Sequence, residues 1–298
     1  MVTGGRRMLG GITSSVHRLS VRTVRGTTQV VLKRFSDPHV SSPDRANTEP
    51  DVLSTRLAEV WADAEAIVIN EAAAIAAVEQ MDVPAPRLLG MSPDGAETDG
   101  APSLLMTRAA GRVWLTPHDL DSWIGQLATL LPTLHAGSAD VWTRQPRDLD
   151  ALTVPESALR PDVWTAAKNV LTAEPPQTEA TLTHGDYQHF NVLWSRGRLS
   201  ALVDWSWACI ASPDLDVGHC RLNLAALYSP EIAETFRRVY ESEAGRQVEP
   251  WWDIHQLLAY TDNWPTFIPV QVAGRAPVDI RGMTGRVEQL LAIVLARV

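Results

Sequence analysis

The stretch LTHGDYQHFNVLWSRGRLSALVDWSWA, residues 182–208, constrains the fold more than any other part of the chain. It sets His184, Asp186, Asn191 and Asp204 beside apolar, strand-like runs. ATLTHGD reads as a strand that ends near Asp186. Only Tyr187, Gln188, His189 and Phe190 separate Asp186 from Asn191, too few for another element, so this is a loop. VLW resumes a strand, residues 195–198 make a turn, and LSALVD returns. A hairpin of that length brings Asp204 back beside Asn191. An Asp, an Asn and a second Asp therefore converge on one point. Two oxygen donors on facing strand ends suit Mg²⁺, which takes few protein ligands and keeps sites for phosphate oxygens. A third carboxylate nearby can orient a hydroxyl and accept its proton. These are the parts of phosphoryl transfer, in which catalysis is mainly positioning and charge neutralisation.

The chain around this stretch reads as α+β. VHRLSV and TTQVVLKRF are β-branched runs about a turn at residues 25–27, and residues 36–53 form a Ser/Pro/Asp-rich loop. Residues 54–81 are Ala-rich with apolar residues at helical spacing and Ser54 as a possible N-cap. VPAPRLLGM and SLLMTRA form a second hairpin. After Gly111 the pattern turns helical: residues 119–137 carry Leu120, Trp123, Ile124, Leu127, Leu130, Leu131 and Leu134 at helix spacing, and a weaker helix spans 156–174. The expected division is an N-terminal lobe over residues 1–108 and a larger, mainly helical lobe over 109–298.

Composition removes several function classes. The formal net charge of −9 is local: residues 36–100 hold thirteen Asp and Glu against Arg45, Arg56 and Arg87, so the remainder is near neutral. That acidity argues against a nucleic-acid partner, whose binding needs a basic face. No apolar run approaches the ~18 residues of a membrane span, and MLGGITSSVHRL lacks the apolar core of a secretory signal. Cys209 and Cys220, with no CxxC, exclude a disulfide framework and a zinc site, which fits a cytoplasmic location. A monomer or homodimer is expected.

The loop His184-Gly185-Asp186, four residues, Asn191 has the spacing of the protein-kinase catalytic loop, but lacks its Arg, and Trp205-Ser206 stands where Phe-Gly would follow the second Asp. It resembles instead the aminoglycoside phosphotransferase family, related to choline-kinase-like enzymes, with an HGD-x4-N loop and a hydrophobic-D-W strand. NEAAAIAAVEQMDVPAPRLLG, LLMTRAAGRV and ASPDLDVGHCRLNLA resemble further segments of that family, with Ser212 replacing an acidic residue. The resemblance runs from about residue 8 to 228 and implies a protein-kinase-like bilobal fold, an antiparallel N-lobe sheet plus helix against a larger helical C-lobe.

By that resemblance Asp186 is the catalytic base, and Asn191 and Asp204 hold Mg²⁺. Lys33, one of only two lysines against twenty-four arginines, binds the phosphates of ATP or GTP. Glu71 steadies it, with Glu65 as the alternative. Gly10, Gly11, Ser14 and Ser15 occupy the place of the phosphate-covering loop, and Met106 and Arg108 lie in the hinge that takes the base. His184 and Asp216 support the site structurally, Asp216 by bonding backbone amides near the loop. His189, Trp251, Asp253 and Asp262 are candidate acceptor contacts, through ring faces and charge-assisted hydrogen bonds.

The implied function is transfer of the γ-phosphate to a hydroxyl of a small molecule, an antibiotic-type acceptor such as an aminoglycoside. Two alternatives stand beside it. One is a metabolite kinase acting on choline, homoserine, a sugar amine or a macrolide. The other is a degenerate kinase-like module that binds nucleotide or drug without turnover.

Overall fold

In the computed structural model, residues 1–8, 14–35, 63–272 and 274–298 are described. The 36–53 loop, Ser54, Gly10 and Gly11 lie outside them. Strands β1 (Val2–Arg7), β2 (Ser15–Thr23), β3 (Gly26–Arg34), β4 (Leu88–Ser92) and β5 (Ser103–Thr107) form one antiparallel sheet in the order β1-β2-β3-β5-β4. The β2–β3 turn is tighter than the sequence suggests, because Thr23 pairs directly with Gly26, whose φ is 117°. Gly26 follows the two turn residues, and glycine adopts that left-handed backbone without a Cβ clash.

Helix α1 (Ala64–Val78) packs on this sheet through Ile67, Val68, Ile75 and Val78. Its alanines let the helix lie close while the β-branched residues fill the interface. In the register, Val31 and Lys33 of β3 face Arg18 and Val16 of β2, and Met106 and Leu104 of β5. Paired residues share a sheet face. This face therefore carries Lys33, Val31, Met106 and Arg18 together.

The remainder is mainly helical: α2 (Leu120–His135), α3 (Pro161–Val170), α4 (Asp214–Leu227), α5 (Pro230–Ala244), α6 (Pro250–Leu257), α7 (Trp264–Val272) and α8 (Met283–Leu295). Asp119 caps α2 by accepting from Ser122 N (2.9 Å), and α3, α5 and α6 start with proline, whose missing N–H costs nothing there. The weak 156–174 helix is shorter than its pattern, because Pro161 fixes its first turn. α4 is buried almost along its whole length and is enclosed by α5, α6 and α8. Trp123, Trp164 and Trp205 are fully buried in the same continuous core.

Two small sheets carry the segment over residues 182–208. β7 (Thr181–Thr183) pairs with β10 (Cys209–Ala211), which also pairs with β6 (Trp142–Thr143). β8 (Val192–Ser195) and β9 (Arg198–Leu202) form the hairpin, turning at Arg196 and Gly197 with φ of 53° and 75°. Val203 N donates to Asn191 O (2.9 Å), so the hairpin closes where Asp204 begins. Among the described residues no helix is long and apolar enough to cross a membrane.

Candidate active site

Lys33 is buried, and its ammonium is the centre of the site. Nζ donates to Glu71 Oε2 (2.7 Å) and Oε1 (3.0 Å), to Asp204 Oδ1 (2.7 Å) and to Ser206 Oγ (2.7 Å). β3 presents Lys33 toward α1, and α1 returns Glu71 from its buried face. Glu71 meets the lysine rather than Glu65, six residues and nearly two turns earlier on the helix. Burial alone would depress the ammonium, but Asp204 and Glu71 outweigh it and raise it above the usual lysine value. Lys33 is thus a fixed cation.

Asp204 follows the β8–β9 hairpin with φ of 70°, left-handed backbone that a non-glycine residue adopts only at a cost of order 1–2 kcal/mol. This conformation points its carboxylate at Lys33 and Ser206. Burial opposes its ionisation, but Lys33 outweighs that and holds the carboxyl below its usual range. The side chain keeps 35% exposure, so an anionic oxygen still reaches the cleft.

Asp186 lies in the loop between β7 and β8. Its Oδ2 accepts from Asn191 Nδ2 (2.8 Å), and its Oδ1 accepts from Gln188 Nε2 (2.9 Å) and lies 2.9 Å from His219 Nε2. The loop is held from beneath by Asp216, which accepts from His184 N (2.7 Å) and Gly185 N (2.8 Å), with His135 Nε2 at 3.3 Å. Burial opposes charge on Asp216, but His135 and His184 together hold its carboxyl below the usual range. Gly185 has φ of 76°, and a Cβ there would collide with the Trp207 carbonyl. The loop passes too close to the 204–208 segment for any other residue. His184 joins the same two segments: its Nε2 donates to Val203 O (3.1 Å) and its ring packs on Trp205 at 4.7 Å.

Several residues expected to meet the nucleotide lie along the N-terminal sheet. Ser14 is buried, and Ser15 pairs with Arg34 at the Lys33 end of β2. Met106 is buried opposite Val31. Arg108 lines a cavity of about 220 Å³ with Arg6, Arg7, Met8 and Arg18, beside the sheet face that carries Lys33.

Three of the four acceptor candidates, His189, Trp251 and Asp253, are corrected. His189 is buried, edge-on to Trp123 at 5.8 Å and beside Tyr228 at 5.4 Å; burial, then His219, pushes its imidazole down to about 3. Asp253 is fully buried against Arg221, and Trp251 is buried, stacked on His255 with Nε1 donating to Ala173 O (3.1 Å). Asp262 accepts from the backbone N–H groups of Glu156 (2.7 Å) and Ser157 (2.9 Å). Packing encloses His189, Trp251 and Asp253, and Asp262 stays exposed.

Three contacts were missed in the sequence: Ser206, two residues after Asp204; His219, three residues after Asp216 on α4; and Arg144, whose Nη1 donates to Gly185 O (3.0 Å). The i, i+3 spacing from Asp216 was the available signal for His219.

Asn191 and Asp204 offer the two-oxygen set that suits Mg²⁺, which keeps waters and phosphate oxygens as its other ligands. Asn191 uses its Nδ2 on Asp186 O (2.9 Å) and Oδ2, and no hydrogen bond among the described residues occupies its Oδ1. Among these residues no group of three or more His, Cys, Asp or Glu forms a closed metal cage.

The sequence profile of the phosphotransferase enzyme family (APH) matches residues 16–252. A comparison with curated protein sequences returns no match. Among solved structures, aminoglycoside phosphotransferase APH(4)-Ia is similar at 13% identity and TM-score 0.59, covering 99% of this chain and 94% of its own. Macrolide 2'-phosphotransferase MphH from Brachybacterium faecium is similar at 18% identity and TM-score 0.55, covering 98% and 91%. Amicoumacin kinase hAmiN, solved with AMP-PNP and Ca²⁺, is similar at 14% identity and TM-score 0.53, covering 97% and 87%. With a kinase-like fold, a cleft built on Lys33, Glu71 and Asp204, and a family match over most of its length, the chain belongs to the phosphotransferase enzyme family and is a kinase-type enzyme.

Proposed function

We propose that this enzyme transfers the γ-phosphate of ATP or GTP to a hydroxyl of an antibiotic-type small molecule such as an aminoglycoside. The observation that carries the reading is the Asp186 carboxylate, held by Gln188 and Asn191 with His219 Nε2 2.9 Å away, while still 25% exposed, in a loop whose Asn191 closes onto the strand end bearing Asp204. Asp186 orients the acceptor hydroxyl and takes its proton. Lys33 neutralises charge on the nucleotide phosphates, and Glu71 and Ser206 hold it in place. Asn191 and Asp204 would hold Mg²⁺, which when bound adds charge neutralisation at the phosphates. Residues 1–108 serve the nucleotide and 109–298 the chemistry and the acceptor.

A second reading, an acceptor of macrolide type, is favoured by one observation. A cavity of about 310 Å³ is lined by Leu115, Pro117, Leu120, Leu227, Tyr228 and Pro277, with no charged residue in its wall. Tyr228 packs on His189 of the catalytic loop. A polycationic aminoglycoside gains little from such a wall, whereas an apolar ring does.

The test is a Mg²⁺-dependent nucleotide-consumption assay with ATP and GTP against aminoglycosides, macrolides, choline, homoserine and amino sugars. Acceptor-stimulated consumption that disappears in Asp186→Ala, with nucleotide binding retained, is the expected result. Equal loss of turnover and nucleotide binding in that variant would sink the role given to Asp186.

A further inference from the structure

We propose that the cavity lined by Arg6, Arg7, Met8, Arg18 and Arg108 is a binding site for a phosphate dianion, separate from the place of the transferred phosphate at Lys33. The cavity holds about 220 Å³, and among the described residues no acid lies in its wall. Arg6 of β1 pairs with Arg18 of β2, so two guanidinium side chains leave one sheet face from directly opposed positions. Like charges so placed repel, and the arrangement weakens a sheet. Arg108, just past the end of β5, adds a third cation. Arg7 alternates to the other face beside its partner His17, whose imidazole is pushed down by burial, then by Arg34 and Arg7. Among the described residues, the guanidiniums of Arg6, Arg18 and Arg108 make no hydrogen bond and no ion pair. Arg144, Arg221, Arg246 and Arg286 all have partners. Charges on an edge strand guard it against pairing with another chain. That accounts for Arg6 and Arg7 on β1, but not for half-buried Arg18 on an inner strand, nor for Arg108.

The chemistry of the wall selects the ligand. A guanidinium presents a planar fork of N–H donors that meets two phosphate oxygens at once, and a dianion offsets two of the three positive charges. The register sets the cavity apart from the ammonium. Val31, opposite Arg18, stands two residues before Lys33 on β3, and Arg6 lies one strand beyond Arg18. With a rise of ~3.4 Å per residue and strands ~4.8 Å apart, the backbone of Arg18 is about 8 Å from that of Lys33, and the backbone of Arg6 about 12 Å. Lys33 is not in the wall. A phosphate gripped between Arg6 and Arg18 is therefore a different group from one that meets Lys33. Two sources carry this chemistry: a phosphate ester on the ribose of the bound nucleotide, or a free phosphate ion.

Calorimetric titration of the full chain at low salt tests this with three probes: inorganic phosphate, adenosine 5′-phosphate and adenosine 3′,5′-bisphosphate. Each is titrated into the wild type, Arg18→Gln, Arg6→Gln and Arg25→Gln. Arg6 is exposed, so its variant keeps the test open if Arg18→Gln does not fold. Arg25, in the β2–β3 turn, gives the same change of charge outside the cavity. Binding of inorganic phosphate that weakens at least about tenfold in the Arg18 and Arg6 variants, and holds in Arg25→Gln, supports the site with a free ion as its ligand. Tighter binding of the bisphosphate than of adenosine 5′-phosphate, with the surplus lost in the same two variants, supports the ribose ester. The proposal is overturned if inorganic phosphate does not bind and the bisphosphate has no surplus. It is overturned equally if the Arg18 and Arg6 variants bind as the wild type does, or if Arg25→Gln loses as much as they do. Every readout is binding, so a wild-type protein that turns over no acceptor counts against the proposed function alone.

Discussion

Among the described residues, two charge clusters are of opposite design. Around Lys33, one ammonium faces two carboxylates, Glu71 and Asp204, so the formal balance is −1, and Asp204 stays part-exposed. In the helical core, three arginines and three acids close a ring: Arg221 with Asp253 and Glu234, Arg237 with Glu234 (2.9 Å) and Glu241 (2.5 Å), and Arg297 with Glu241 (3.6 Å) and Asp253 (3.4 Å). That ring is neutral. It ties α4, α5 and α6 to the end of the chain after α8. A balanced buried cluster holds structure, because every charge that lost water regains a partner. An unbalanced one with an open side is prepared for a further cation. The difference separates function from cohesion where burial alone does not.

The ring is the place to expect the largest change in stability. Asp253→Asn leaves the fully buried Arg221 short of a countercharge and should cost about 3–5 kcal/mol, read as a lowered denaturation midpoint. The matching change at the open cluster should cost less. Asp204→Asn removes a carboxylate that Lys33 holds ionised but leaves the lysine balanced by Glu71, so the melting temperature of the ligand-free protein should fall by less than in Asp253→Asn, while Mg²⁺-dependent nucleotide affinity should fall at least about tenfold, ~1.4 kcal/mol. Unaltered Mg·nucleotide binding in that variant would contradict the open-cluster interpretation.

Acid should strike the core and spare the cluster until lower pH. Burial pushes His189 and His255 down to about 3, with His219 adding to the first and Arg147 and Arg144 to the second. Unfolded histidine binds its proton near ~6.5, so between ~6.5 and about 3 the unfolded chain holds more protons than the folded one. Stability from each neutral ring is therefore complete above ~6.5 and is lost as pH falls, by up to about 1.4 kcal/mol per pH unit per histidine. Asp204 and Asp216, both depressed, lose their contribution only as pH falls below ~3.9 toward their folded values. Equilibrium denaturation from pH 7 to 4 should show the histidine slope, and His189→Phe should reduce it. The smallest effect is at the surface: Asp262→Ala frees two backbone N–H groups to water and should cost about 1 kcal/mol, with acceptor KM unchanged.

The functional cluster was the more legible of the two in the sequence. Asp186, Asn191 and Asp204 sit close together in the chain at loop and hairpin distances, and Lys33 stands out against the arginines. Local spacing carries such a signal. Glu71 and Glu65 could not be separated by sequence, because the choice depends on which side of α1 meets the sheet. The ring was illegible: Arg221 and Asp253 lie far apart in the chain and meet only through the packing of α4 on α6. For the same reason Asp253, Trp251 and His189 read as ligand contacts, when aromatics and acids in that region line a core. Trp164, stacked on Tyr260 at 6.1 Å and donating to Glu288 Oε1 (2.9 Å), shows the role aromatics take there.

Helix α4 belongs to both clusters' neighbourhoods at once. Asp216 holds the loop that carries Asp186, His219 lies against that carboxylate, and Arg221, two residues on, sits in the ionic ring. One helix therefore joins the ring to the backbone beneath Asp186. Substitutions at Glu234, Arg237, Glu241 and Arg297 are expected to shift the temperature at which activity is lost while the residues around Asp186 stay as they are.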